Sequence, residues 1–111
     1  MRSFFIDPGR LRTELALEAP AGAPDGLGGF AETWNEVGLV FALVEPISAQ
    51  SVFGADQTLE SVTHRIHVQW RDDLASGMRF RMGGRVFDVV TVHDPDGTAR
   101  YLVCRAKETG S

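Results

Sequence analysis

Residues 78–93, MRFRMGGRVFDVVTVH, carry the reading on which the fold turns. Apolar residues alternate with polar ones through Met78, Phe80 and Met82, and again through Phe87, Val89 and Thr91, the two-residue period of a strand with one wet face. Between these arms stands Gly83-Gly84, a pair that takes the positive φ values of a tight primed turn without steric cost. Arg79, Arg81 and Arg85 then fall on the solvent side near the turn. Val86, Val90 and Val92 make the second arm apolar on both faces, which predicts a central strand covered on each side. The stretch is an antiparallel hairpin at the centre of a compact β domain.

The rest of the chain is sized for one such domain. With 111 residues, 43% of them hydrophobic, it can bury roughly two thirds of its unfolded surface in a single core. A formal net charge of -4 argues against a domain that holds nucleic acid by neutralising phosphates. The single cysteine, Cys104, excludes an internal disulfide framework and is consistent with a reducing compartment. The amino end offers only Phe4, Phe5 and Ile6 before Asp7 and Pro8, too short for a signal-peptide core or a membrane span, so a cytoplasmic location is expected.

Upstream of the hairpin, residues 1–10 form a short apolar arm closed by the turn signal Asp7-Pro8-Gly9. Residues 11–19 alternate, with Leu11, Thr13, Leu15 and Leu17 on one side, and predict the first strand. Residues 20–29, PAGAPDGLGG, predict a flexible exposed loop. Alternation resumes over 30–36, with Phe30 and Trp34 packing; Gly38 marks a bulge or kink, and residues 39–44, LVFALV, predict a strand buried on both faces and ended by Glu45-Pro46. Ser48 can cap a short helix over 48–57, with Ala49, Val52, Phe53 and Asp56 at helical spacing, although Gly54 favours a long loop instead. Residues 59–71 return to a period of two, with Val62, His64, Ile66, Val68 and Trp70 inward and Thr63, Arg65, His67, Gln69 and Arg71 outward. Beyond the hairpin, Asp94-Pro95-Asp96-Gly97 signals a type I turn and residues 100–106 the last strand. Seven short strands and one helix or long loop make an all-β, mainly antiparallel chain, a small barrel or sandwich.

No residue set assembles into a catalytic or metal centre. His64 and His67 are three apart and so sit on opposite faces of a strand, an inward satisfied ring and a solvated one. Cys104 has no partner for redox or nucleophilic chemistry and reads as a buried inert thiol. Glu14, Glu18, Glu32, Glu36 and Glu45 could supply an acid and a base, but solvated sheet faces carry such residues routinely. The Gly-rich GLGG at 26–29 lacks the Lys-Ser or Lys-Thr and the helix start of a phosphate loop. Arg65, Arg71, Arg79, Arg81 and Arg85 could form a stripe for nucleic acid, but on an acidic domain salt bridges or solubility explain them better.

Taken together and in order, GFAETW at 29–34, VEPIS at 44–48, SVTHRI at 61–66, GMRF at 77–80 and GGRVFDV at 83–89 resemble the phage head-tail joining proteins, the head-closure or stopper components of the neck of long-tailed phages. The resemblance spans residues 11–106, and gene transfer particles reuse the same parts. It implies a small β-barrel of residues 11–107 with an arm at 1–10 and a tail at 108–111, no enzyme activity and no cofactor. It also implies a homo-oligomeric, six-fold ring between portal and adaptor proteins on the head side and the tail terminator or tail tube on the other. Assembly would take place in the host cytoplasm and end in the neck of the particle, with no membrane, and DNA would pass through the channel without sequence-specific binding.

In that family the channel-facing loop lies between the long apolar strand and the THRI strand. Carried onto this chain it would make Ser48, Ala49, Gln50, Ser51, Val52, Phe53, Gly54, Ala55, Asp56 and Gln57 the lining or gate of the channel. The small residues suit crowding around an axis, and Asp56 and Glu60 would present DNA with a wall of like charge. Phe4, Phe5, Ile6 and Leu27 are expected to contact neighbouring subunits or the adaptor, since exposed apolar clusters usually mark contact surfaces. Two other readings stand beside this one: another neck component such as a tail terminator, and a small OB-like or SH3-like barrel that binds nucleic acid.

Overall fold

The computed structural model describes residues 8–24, 30–47 and 62–109. The decisive hairpin is present as β4 (Arg79–Met82) and β5 (Arg85–His93), joined by Gly83-Gly84. Of the two glycines only Gly83 has a positive φ, 61°, the pattern of a type II′ turn. Around the hairpin run β1 (Thr13–Pro24), β2 (Phe30–Pro46), β3 (His64–Gln69) and β6 (Tyr101–Glu108), preceded by a 3₁₀ turn at Pro8–Arg10. All pairings are antiparallel, and the order β1-β2-β3-β6-β5-β4 closes on itself through β4 against β1. Six strands therefore form one closed barrel among the described residues, where the sequence predicted seven strands.

The count falls because residues 30–44 make one strand, not two. Val37 is bulged out: Leu17 pairs with Gly38 while Glu18 pairs with Glu36. The extra residue bends and twists the strand without ending it, so the break in periodicity beside Gly38 is a bulge. Residues 20–24, expected within a flexible loop over 20–29, belong instead to β1, and the rest of that segment lies outside the described residues. Ala19, Pro20, Ala21, Gly22, Ala23 and Pro24 pair in register with Asn35 back to Phe30, and β1 joins β4 only through Ala16, Leu17 and Glu18. Beyond Glu18 the β1–β2 hairpin is thus a two-stranded ribbon leaving the barrel, and the molecule extends 53 Å along its longest axis. Composition misled here because backbone pairing, not side-chain burial, orders the ribbon.

The core fills the barrel interior. Leu15, Leu17, Ile66, Val68, Phe80, Phe87 and Cys104 are fully enclosed, and Phe80 stands directly opposite Phe87 across the hairpin. Leu74 and Met78, from the turn before β4, plug one end, held by the bonds Gly77 N to Val89 O (3.1 Å) and Val89 N to Met78 O (2.9 Å). A second bulge at Val90 reverses the sides of β5: Val92 turns inward against the core opposite Cys104, and Thr91 faces out with Arg105. Val86 and Val90 are half-buried, not covered by another layer, because a single closed sheet has no second layer to give.

The same geometry corrects the reading of residues 39–44 as buried on both faces. Val40 and Ala42 point into the core, whereas Leu39 is 56% and Phe41 57% exposed. Trp70, expected inward, lies beyond the end of β3 and is 43% exposed. The strand expected over 59–71 is ordered as β3 from His64, with Val62 buried ahead of it.

Candidate assembly surface

Beyond the core, the outer wall holds what remains unexplained by folding. On β2, Val37, Leu39 and Phe41 turn apolar side chains to solvent. β3 pairs with β2 only from Ala42 to Pro46, and past Ala42 and Val68 the two chains separate. A cleft of about 390 Å³ opens where they part, lined by Leu11, Leu39, Val40, Phe41, Gln69, Trp70 and Arg71. Arg71 is fixed beside it by a two-pronged bond to Asp73, Nε and Nη2 each 2.9 Å from a carboxylate oxygen, which also lowers the Asp73 carboxyl below its ordinary range. Apolar strand face, aromatic rim and, among the described residues, an unpaired strand edge meet at this one place.

A second cluster stands where the ribbon leaves the barrel. Glu18 lies on the outside of β1 yet is 4% exposed, because Arg79 and Arg81 of β4 close over it. Arg79 Nε donates to Glu18 Oε1 at 2.6 Å and Arg81 Nε to Oε2 at 3.0 Å. Burial by itself would raise the Glu18 carboxyl; the hydrogen bonds and charges of the two arginines outweigh it and hold the group below its ordinary value. Trp34, from the ribbon strand of β2, stacks on the same Arg79, whose guanidinium carbon is 4.1 Å from the ring centroid. The ribbon is therefore latched to β4 from both its strands.

The remaining candidates resolve as structure. Each of the five arginines of the suspected stripe is paired with a carboxylate, two of them sharing one: Arg65 with Glu45 (3.7 Å), Arg71 with Asp73 (2.9 Å), Arg79 and Arg81 with Glu18 (2.6 and 2.9 Å), and Arg85 with Glu108 (2.8 Å). Charges neutralised in this way release few counterions on meeting phosphate. His64 and His67 do occupy opposite faces. His64 is inward, its Nδ1 2.8 Å from Thr63 Oγ1 and its ring edge-on to Phe87, and burial lowers its pKa. His67 is not solvated as expected: it is 6% exposed, with Nε2 2.9 Å from Glu45 Oε1. Cys104 is enclosed, and burial pushes its thiol up to about 12, so it stays protonated.

Asp94 accepts backbone bonds from Asp96, Gly97 and Ala99, and Asp96 holds Thr98 and Arg100. The acidic turn thus uses its carboxylates internally, and no group of potential metal ligands occurs among the described residues. Among the described residues Glu14 and Glu36 are exposed, and Glu36 stands opposite Glu18, whose carboxylate is already taken by Arg79 and Arg81. Among the described residues no helix is long and apolar enough to cross a membrane. The predicted channel residues, Ser48 to Gln57, and the predicted contact residues Phe4, Phe5, Ile6 and Leu27 lie outside the described residues. Sequence reasoning missed the outward face of β2 and the Glu18 latch.

These features define a class: a small closed antiparallel barrel that projects a latched ribbon and leaves one apolar strand face uncovered. The model of the phage head completion protein family matches residues 6–109, and the chain belongs to that family, whose members are structural parts of phage heads. A chain in the virion of a native gene transfer agent particle is similar at 28% identity and a TM-score of 0.66, covering 90% of this chain and 96% of that one. A Shigella flexneri 2a protein known from its solution structure shares the fold at 22% identity and a TM-score of 0.69, covering 93% and 96% of the two chains. No curated protein matches.

Proposed function

We propose that this protein closes the head of a phage-like particle as a ring between the portal and adaptor proteins and the tail, lining or gating the channel through which DNA leaves. The family match across residues 6–109 carries the reading. The similar chain in a gene transfer agent virion supports a place in an assembled particle of that kind. The uncovered apolar face of β2 supports assembly, since a surface of that character is normally met by another protein. DNA would pass without sequence-specific binding: the formal net charge is -4, and the arginines of the stripe are occupied by their own acids. The segment 48–57 would face the axis, with Asp56 repelling the phosphates it meets.

Light scattering on the purified chain, followed by imaging of particle necks, tests this. A ring, or a monomer that becomes a ring only on portal-bearing heads, is the expected result. A monomer absent from particles that binds oligonucleotides in a salt-dependent way would replace it with the small nucleic-acid-binding barrel.

A further inference from the structure

We infer that the cleft between β2 and the end of β3 receives the amino-terminal arm of a second copy of this chain, Phe4-Phe5-Ile6, as an added strand. The inference rests on the ring reading above and specifies how one subunit would hold the next.

The cleft is shaped for an extended segment. β2 is flanked by β1 from Phe30 to Ala42 on one edge, but on the other edge its pairing with β3 begins only at Ala42, so the edge from Phe30 to Phe41 carries no neighbouring strand among the described residues. Such an edge offers main-chain donors and acceptors to any strand that approaches, while alternate side chains fill adjoining pockets. Here the adjoining walls are apolar: Leu39 and Phe41 on β2, Leu11 beneath and Trp70 across. No proline between Phe30 and Val44 blocks pairing.

The occupant follows from what the chain has left to place. Phe4, Phe5 and Ile6 are strand-forming, apolar and flanked by polar Ser3 and Asp7, and they precede a 3₁₀ turn at Pro8–Arg10 that sits directly before Leu11 of the cleft. The arm therefore starts at the rim of its own subunit's cleft, and seven residues extended reach roughly 23 Å, enough to leave that rim for an adjacent copy. A closed ring is built from heterologous contacts, in which every copy gives one surface and receives with a different one. Arm and cleft are two such unlike surfaces, and one occupying the other repeats around a ring without leaving either bare.

Cysteine pairing reads the arrangement directly, because the native Cys104 is enclosed and silent. Phe5→Cys and Leu39→Cys single variants of the full chain are mixed, assembled and oxidised with copper-phenanthroline. A disulfide-linked heterodimer, formed about tenfold more than with Asn35→Cys in place of Leu39→Cys, is expected from an effective concentration that only docking supplies. The double variant should then give a ladder of linked subunits, and Trp70→Ala should weaken both products. Rings that assemble but yield no heterodimer overturn the inference and leave the ring reading standing. So does a double variant that closes only within one chain, which would place the arm in its own cleft. Absence of rings from both solution and particles removes the ring reading and this inference with it.

Discussion

Phe80 and Phe87 face one another across β4 and β5 with no exposed surface, so neither side chain can be shortened without leaving a hole that the closed sheet cannot collapse into. Phe80→Ala is expected to cost about 3–5 kcal/mol in chemical denaturation, a large part of the stability of a chain this size. Glu18 makes a different residue-scale prediction. Its folded pKa lies below the ordinary 4.5, so the unfolded chain binds the proton more tightly and stability rises with pH across that range. The contribution is complete above about pH 4.5 and is lost as pH falls through the lower folded value. Glu18→Gln should lower stability by about 1–3 kcal/mol at neutral pH, toward the lower figure because Arg81 reaches water. The variant should also flatten the acid limb of the stability curve, which denaturation at stepped pH measures.

At the scale of elements, the ribbon is the part whose order is least secured by the core. Two strands alone are marginal in water, so the Glu18 latch and the stacking of Trp34 on Arg79 set its direction. Trp34→Ala should leave the melting of the barrel nearly unchanged while amide exchange rises selectively over Ala19–Pro24 and Phe30–Asn35; uniform exchange across the chain would show that the contact secures the barrel itself. The hairpin at 78–93 was legible because period, turn glycines and charge agree there. The ribbon was not, because alanine, glycine and proline announce no burial, and main-chain pairing leaves no mark in composition. Residues 39–44 were legible as a strand but not as a surface. A segment apolar on both faces, in a chain too short to build a second layer over a closed sheet, has one face with nothing to cover it, and that surplus was the available signal.

For the whole molecule, the family was legible from five short motifs in fixed order, each weak alone, and the barrel follows from the same strands. The cleft beside β2 was not, since it depends on where β3 leaves β2, a feature of three-dimensional register that no local spacing records. Function makes its own prediction at this scale. Deleting residues 54–57, Gly-Ala-Asp-Gln, should leave rings intact and let filled heads leak DNA, seen as empty heads in micrographs and nuclease-sensitive genomes. Retained DNA in that variant would remove the gating role of the segment.

The Glu18 latch also gives the protein a mechanical character. The ribbon stands on a bulged pivot at Val37 and is pinned at its base to β4, which continues through Gly83-Gly84 into β5 and from there around the closed wall. A load applied to the ribbon bears first on two arginines and a carboxylate at its base and passes from them through β4 into the closed sheet. The ribbon projects from the barrel as a lever does from its mounting, so a partner bearing on it would exert torque on the body of the subunit.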